Sequence, residues 1–88
     1  MRLDKFLKVS RIIKRRTLAK EVCDRHQVKI NDRIAKAGTI VQPGDVLEIS
    51  LGQRLLKFRI TELREAVPAK QAAELYELLE SNKVEIDD

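Results

Sequence analysis

The hydrophobic periodicity of this sequence changes at Val28, and this change limits the possible folds more than any other feature. Before Val28, apolar residues recur at the spacing of an amphipathic helix. After it, they alternate with polar residues, as expected for strands with one buried face. The 88 residues suffice for one domain with a modest core. We therefore predict an α+β fold, in which two short packed helices precede a small antiparallel sheet.

Two short basic helices are predicted before the change. In the first, Leu3 and Phe6 share one side of the helix with other apolar residues. Ser10 interrupts this pattern, so we expect the helix to end at about Val9, with a turn after it. The second helix is predicted over residues 15–26, and its apolar stripe consists of Leu18, Ala19, Val22 and Cys23.

Short strands and tight turns are predicted after the change. Val28 and Ile30 alternate with polar residues and predict a strand, which the turn signal Asn31-Asp32 follows. Pro43-Gly44-Asp45 is a second turn signal, because proline presets φ and glycine accepts positive φ. Two further alternating runs flank Gly52-Gln53 and predict a hairpin. The residues expected to be buried by this hairpin are Leu47, Ile49, Phe58 and Ile60.

A final helix is predicted in the last part of the chain. Pro68 is suited to a first helical turn, and four residues follow at helical spacing: Ala72, Leu75, Tyr76 and Leu79. The opposite face would carry Glu74, Glu77 and Glu80, and the acidic tail from Glu85 to Asp88 is expected to fray. We predict one domain over residues 1–66, with a hairpin extension in 46–64, followed by a C-terminal helix and acidic tail in 67–88.

Positive charge is concentrated in the first 36 residues. They carry twelve Lys or Arg against four Asp or Glu, a net charge of +8, whereas the other 52 residues carry −4. A small domain polarised in this way usually binds a polyanion. The chain has only three aromatic residues (Phe6, Phe58 and Tyr76), so base stacking is not the main source of affinity. These observations predict recognition of the phosphates and shape of a folded nucleic acid.

The cysteine and histidine content argues against metal, disulfide and nucleophilic chemistry. One cysteine excludes an intramolecular disulfide framework, and with one histidine we expect no conventional zinc site. Cys23 is predicted to be a core residue, and His26 is predicted to terminate the second helix. We expect no cofactor and no enzymatic activity. There is no apolar run of the roughly 20 residues that span a membrane and no apolar secretory segment, which predicts a cytoplasmic protein.

Five short blocks near the amino terminus resemble the S4 RNA-binding domain, which is named after a primary rRNA-binding protein of the small ribosomal subunit. In chain order they are Arg2-Leu3-Asp4-Lys5-Phe6-Leu7, Ser10-Arg11, Arg15-Arg16-Thr17-x-Ala19, Val28-x-Ile30-Asn31 and Lys36-Ala37-Gly38. The resemblance covers about residues 1–50, and it implies that these residues are the core motif of an RNA-binding domain over residues 1–66. Because the five blocks occur in order and at the family's spacing, the resemblance is specific, and it implies an S4-like fold that binds RNA.

The candidate RNA-binding residues follow from these blocks and from the charge. A planar guanidinium donates two hydrogen bonds to one phosphate, so arginine suits this task. Arg2 and Lys5 on the first helix and Arg16 on the second approach one surface if the helices pack side by side. Asp4 is predicted to stabilise the helix amino end or to orient Arg2 or Arg11. The predicted RNA-binding residues are Arg2, Lys5, Lys8, Ser10, Arg11, Lys14, Arg15, Arg16, Thr17, Lys20, Asn31 and Lys36.

The uncharged candidates and two unusual positions have their own expectations. Ser10 and Thr17 would supply neutral hydrogen bonds, and Asn31 would either order the turn or touch a sugar or phosphate. The S4 pattern often has serine where Arg15 stands and glycine where His26 stands. Histidine tolerates the left-handed conformation better than most residues, so the fold prediction is unaffected.

The chain is also similar, within the S4 family, to stand-alone factors of bacterial ribosome-associated quality control. This resemblance implies a non-enzymatic factor that binds the large ribosomal subunit after a stalled ribosome has split. It implies contacts with large-subunit rRNA and with peptidyl-tRNA. It also implies action alongside RqcH, which brings alanyl-tRNA so that the stalled chain gains an alanine tail. We expect a monomer.

Three other functions are compatible with the pattern. The heat-shock recycling factor carries the same domain, but its type usually has a basic carboxyl extension, whereas this sequence ends in acidic residues. The domain is also an appendage of rRNA pseudouridine synthases and tyrosyl-tRNA synthetases, a reading that requires a catalytic domain of a few hundred residues. Finally, two short basic helices mimic a DNA-binding helix-turn-helix. Preference for duplex DNA over structured rRNA at equal salt would support that last alternative.

Overall fold

The computed structural model describes residues 1–83, and it confirms the α+β class. Two α-helices precede a five-stranded sheet in the order β2-β1-β3-β4-β5, in which every neighbouring pair of strands is antiparallel. No helix in the described part of the chain is long and apolar enough to cross a membrane. The elements are α1 (Leu3–Val9), α2 (Arg16–Asp24), β1 (Val28–Ile30), β2 (Arg33–Ile34), β3 (Val46–Leu51), β4 (Arg54–Ile60), a 3₁₀ helix (Ala69–Leu75) and β5 (Tyr76–Lys83).

Both helices end close to the predicted residues. Helix α1 ends at Val9, and α2 ends at Asp24, two residues before the predicted limit. His26 takes the left-handed conformation with φ 58°. Its N–H donates to the carbonyl of Cys23, and the N–H of Gln27 donates to the carbonyl of Val22, which is the Schellman pattern of a helix end. The prediction that His26 terminates the helix is confirmed.

The left-handed conformation of His26 gives a prediction about stability. A residue with a Cβ is disfavoured at this φ by roughly 1–2 kcal/mol, while glycine loses more chain entropy on folding. We expect His26→Gly to raise the free energy of unfolding by about 0.5–1 kcal/mol, a rise in melting temperature of roughly 2–8 °C. Thermal unfolding followed by circular dichroism measures this change. The neighbouring Arg25 has φ −86°, so Arg25→Gly is the matched control and is expected to lower the melting temperature.

The turn between β1 and β2 is built on the predicted Asn31-Asp32 pair. Both residues have positive φ (50° and 69°), as a tight two-residue hairpin turn requires. The Asn31 amide donates to Asp45 Oδ1 at 3.1 Å, and Asn31 Oδ1 accepts from the Val46 N–H at 3.0 Å. The side chain of Asn31 therefore ties this turn to the start of β3.

The core lies between the two helices and one face of the sheet. The predicted hairpin is confirmed: β3 pairs with β4, and Leu47 lies opposite Phe58. Leu47, Ile49, Phe58 and Ile60 are all buried, as predicted. From α1, the buried apolar residues are Leu3, Phe6 and Leu7, and from α2 they are Ala19, Val22 and Cys23. The sheet is thus the platform that fixes how α1 and α2 meet.

The predicted C-terminal helix is wrong beyond Leu75. The helical part is limited to the 3₁₀ helix, which buries Ala72 and Leu75, and the next eight residues form β5. Tyr76 pairs with Ile60 of β4 and stacks edge-on against Phe58, with ring centroids 5.1 Å apart. The open edge of β4 offers a complete ladder of backbone hydrogen bonds, which outweighs the local helical spacing. The prediction for the tail from Glu85 to Asp88 falls outside the described residues.

The acidic residues of this segment consequently do not form one helix face. Glu77 lies on β5, and its carboxylate accepts a hydrogen bond from Arg59 Nη1 of β4 at 3.4 Å. Glu80 lies opposite Lys57 of β4 in the register. Carboxylates of β5 therefore face basic residues of β4 across the strand pair, an arrangement that stabilises antiparallel sheets.

Candidate nucleic-acid interface

The amino ends of α1 and α2 meet at the carboxylate of Asp4. This side chain is only 4% exposed. Its Oδ1 accepts hydrogen bonds from Arg2 Nε at 3.2 Å and from the backbone N–H of Lys5 at 2.8 Å. Its Oδ2 lies 3.5 Å from Arg16 Nε of α2. A buried carboxylate therefore joins the arginine just before α1 to the first residue of α2, and both arginine side chains remain half exposed.

The start of α1 is held in place by the loop that precedes β3. The N–H of Leu3 donates to the carbonyl of Thr39 at 2.8 Å, and the N–H of Asp4 donates to the carbonyl of Ala37 at 3.1 Å. Arg2 forms an isolated antiparallel bridge with Ile40. The Arg2 guanidinium passes close to Gly38, where a Cβ would lie 3.7 Å from Arg2 Nη2. Residues 36–40 thus border Arg2, so the block Lys36-Ala37-Gly38 lies beside the first block in the fold.

The first turn of α2 carries positive potential. Arg15 occupies the N-cap position with extended backbone (φ −116°), and its side chain makes no capping hydrogen bond. The first turn contains no acidic residue. Uncapped N–H groups and the helix dipole both attract anions. Together with the side chains of Arg15 and Arg16, they make this end of α2 suited to a phosphate group.

Most of the other predicted basic residues are exposed near the two helices. Lys8, Arg11 and Lys14 line one shallow pocket together with Val67. Arg11 lies two residues past the end of α1, and its φ of 60° is in the left-handed region. The exposed residues of the predicted set are Arg2, Lys8, Arg11, Lys14, Arg15, Arg16, Thr17, Lys20, Asn31 and Lys36. The structure therefore leaves ten of the twelve candidates accessible to a large ligand.

Two uncharged candidates form hydrogen bonds within the protein. Ser10 is 1% exposed. Its hydroxyl donates to the carbonyl of Leu7 at 3.3 Å and accepts from the N–H of Ile12. The hydroxyl of Ser10 therefore closes the end of α1, and its burial offers no support for the predicted RNA contact of this residue. The side chain of Asn31 orders the turn as described above, and the residue is exposed.

Lys5 pairs with an acidic residue that no sequence pattern singles out. Its Nζ donates to Glu65 Oε2, which belongs to the segment between β4 and the 3₁₀ helix. The hydrogen bond and the positive charge of Lys5 lower the pKa of the Glu65 carboxyl below its usual value. Sixty residues separate the partners, so no local pattern connects them. Because the Glu65 side chain is 80% exposed, a phosphate can compete with it for Lys5.

The cysteine has the character of a core residue, as predicted. Cys23 is fully buried in α2 against the apolar cluster. Burial and, to a smaller extent, the negative charges of Asp4 and Asp24 raise the pKa of its thiol to about 11. The thiol is therefore protonated at neutral pH and is a poor nucleophile. This group provides packing and not chemistry.

Comparison with known proteins identifies this arrangement. The sequence profile of the S4 domain matches residues 1–47, which include both helices and the first strands. The chain is 56% identical over 78 residues to the RQC P-site tRNA stabilizing factor of Halalkalibacterium halodurans, with 89% of each chain covered. It is 50% identical over 84 residues to the protein of the same name in Bacillus subtilis, with 96% of this chain and 98% of the relative covered. The chain therefore belongs to the S4 domain family and, within it, to the group of the RQC P-site tRNA stabilizing factors.

A solved structure extends the similarity beyond the S4 profile. Heat shock protein 15 of Vibrio cholerae, which was solved as a trimer, aligns with a TM-score of 0.83 at 28% identity. The alignment covers 90% of this chain and 81% of that protein. Because residues 1–47 are only about half of the chain, the alignment must also include much of the sheet that follows them.

Proposed function

We propose that this protein is a non-enzymatic RNA-binding factor of ribosome-associated quality control. It binds the large ribosomal subunit that carries a stalled peptidyl-tRNA, and it contacts both rRNA and the tRNA. In doing so it supports RqcH-dependent alanine tailing of the nascent chain in the cytoplasm. One observation supports this proposal above the others: Arg2 and Arg16 contact the same carboxylate where two basic helices meet, in a chain that belongs to the group of P-site tRNA stabilizing factors.

The proposed contact is with phosphates and not with base edges. Folded RNA is largely A-form, and its narrow major groove is poorly accessible to side chains. The half-exposed guanidinium groups of Arg2 and Arg16 each keep terminal N–H groups that can donate to phosphate oxygens. The uncapped first turn of α2 adds backbone N–H groups to the same region. Such a surface binds a defined RNA shape without reading its sequence.

Stabilisation of a tRNA requires no chemical step from the protein. A rigid domain that touches rRNA and tRNA at once shifts the equilibrium toward the arrangement that both contacts favour. The bound tRNA would then remain in place during successive rounds of elongation. The basic residues on both helices provide the contacts, and the sheet holds the helices at a fixed angle.

Co-sedimentation with ribosomal subunits tests this proposal. We expect wild-type protein to migrate with large subunits that carry peptidyl-tRNA in a sucrose gradient. The double variant Arg2→Ala, Arg16→Ala removes both guanidinium groups from the meeting point of the helices. We expect it to leave the large-subunit fractions and to remain at the top of the gradient.

A matched control separates the site from general charge. Arg54→Ala with Lys70→Ala removes the same charge from exposed residues outside the first 36 positions. This control is expected to co-sediment like wild type. Equal co-sedimentation of the double variant and wild type would show that the assigned surface is wrong. Loss of binding in both variants would show that overall charge, and not this surface, is responsible.

The heat-shock recycling role is a second candidate, which the similarity to heat shock protein 15 favours. The two roles differ in what happens to the nascent chain. A quality-control factor is required for alanine tails to accumulate on stalled chains, whereas a recycling factor is not. Immunoblots of a stalled reporter in a deletion strain distinguish them: absence of the tails supports the first role, and normal tails support the second.

A further inference from the structure

We propose that Asp4 is a positioning residue, which holds Arg2 and Arg16 together as one phosphate-binding unit. This inference rests on the proposed function, because it concerns how the RNA-binding surface is assembled. The observation behind it is that a nearly buried carboxylate uses one oxygen for Arg2 and the other for Arg16. No other pair of cations from α1 and α2 shares an acid in the described part of the chain.

The atoms used in these contacts leave the phosphate-binding atoms available. Both arginines approach Asp4 through Nε. The terminal nitrogens of each guanidinium carry four further N–H donors. Among residues 1–83, none of these terminal groups on Arg2 or Arg16 donates to a protein acceptor. Asp4 therefore holds each side chain by its inner nitrogen and leaves the outer nitrogens without a protein acceptor among residues 1–83.

The position of Asp4 would be unfavourable if charge alone governed binding. A carboxylate near a phosphate repels it, so a protein that needed only positive charge would gain affinity by losing this group. Holding two long side chains in advance, however, removes the entropy that each would otherwise lose when RNA binds. A buried carboxylate also keeps its protein partners more firmly than a surface carboxylate does, because water is not available to replace them. Asp4 therefore weakens the electrostatic attraction of phosphate but pre-organises the side chains of Arg2 and Arg16.

Replacement of Asp4 by asparagine tests this balance. An asparagine can still accept from Arg2 and from the Lys5 N–H through one oxygen. Its other atom becomes an NH₂ donor that faces Arg16 Nε, and this contact is lost. Although Asp4→Asn makes the protein one unit more positive, we expect it to bind purified large ribosomal subunits roughly tenfold more weakly at constant salt.

Asp24→Asn is the matched control, because it changes the charge equally at an exposed residue at the far end of α2. It is expected to bind as wild type does, or slightly more tightly. The double variant Asp4→Asn, Arg16→Ala should bind no more weakly than Arg16→Ala alone, since the contact with Arg16 is already absent. Such non-additivity is not expected if Asp4 acts only on stability.

A spectroscopic measurement on the wild-type protein does not depend on the folding of any variant. In nitrogen-15 NMR spectra, the Nε–H protons of Arg2 and Arg16 should exchange with water more slowly than those of Arg11 and Arg15. Equal exchange rates for all four would overturn the proposal, even if Asp4→Asn failed to fold. Binding of Asp4→Asn equal to that of Asp24→Asn would also overturn it.

These outcomes are separate from failure of the proposed function. If Arg2→Ala and Arg16→Ala both bind large subunits like wild type, the RNA-binding surface itself is wrong. If those variants lose binding while Asp4→Asn keeps it, the surface is right and Asp4 has only a structural role at the start of α1. Slow exchange at both arginines together with weaker binding by Asp4→Asn supports both inferences.

Discussion

Raising the salt concentration from about 50 to about 200 mM is expected to weaken binding to large ribosomal subunits between about 250-fold and about 4,000-fold. Each phosphate that the protein neutralises releases condensed counterions, so the logarithm of the affinity falls linearly with the logarithm of the salt concentration. With about five to seven phosphates neutralised, the slope is about −4 to −6. The exposed basic residues on and near α1 and α2 are sufficient for this number of contacts.

Variants assign this slope to individual residues. Arg2→Ala with Arg16→Ala should make the slope shallower by about two, and Lys20→Ala should make it shallower by about one. The control pair Arg54→Ala, Lys70→Ala should leave it unchanged. Filter binding or fluorescence anisotropy at four or more salt concentrations provides the measurement. A wild-type slope weaker than about −2 would contradict phosphate recognition as the main source of affinity.

Phe6→Ala is expected to cause the largest loss of stability, about 3–5 kcal/mol. Phe6 has no exposed surface, and it belongs to the cluster that joins α1 to the sheet. Its truncation leaves a cavity in a small core, where few neighbours can move to fill the space. Since domains of this size are stable by only about 5–15 kcal/mol, the variant should be close to unfolding at 37 °C. RNA binding should be lost with it, because α1 carries Arg2 and Asp4.

Urea denaturation followed by circular dichroism measures this loss. Leu78→Ala is the control, since Leu78 is 53% exposed on β5 and its truncation removes little buried surface. We expect its cost to stay below about 1 kcal/mol. A cost of Phe6→Ala below about 1.5 kcal/mol would show that α1 is not anchored by this core, and the argument for a fixed helix pair would then fail.

The local patterns that predicted the first half of the fold correctly share one property: their partners are near in sequence. The apolar residues of α1 and α2 define one face each, and Ser10 and His26 mark the helix ends through short-range hydrogen bonds. The Asn31-Asp32 turn needs only two residues with positive φ. The hairpin of β3 and β4 likewise follows from alternation around a short turn. Interactions between residues that are near in sequence are sufficient to specify such elements.

The C-terminal segment was mispredicted because its partner is distant in sequence. Tyr76 and Leu79 suit a helix by spacing, but β4 supplies a strand edge that this spacing does not reveal. The same reason explains why the sequence did not single out Glu65, which meets Lys5 across the fold. For Asp4 the sequence predicts stabilisation of the helix amino end or orientation of Arg2 or Arg11. The structure shows its contact with the Lys5 N–H at that end and pairs it with Arg2 and Arg16. In each case a long-range contact decided between local alternatives.

The sequence by itself determined the two basic helices, the hairpin and the candidate arginines, because periodicity, turn chemistry and charge are properties of neighbouring residues. It also carried the S4 blocks, from which RNA binding was predicted. Only the tertiary structure decided that the last segment is a strand, that Ser10 is withdrawn from the surface, and that Asp4 is shared between α1 and α2. These features depend on which surfaces meet when the helices pack on the sheet, and burial and hydrogen bonding across that contact outweigh local preference.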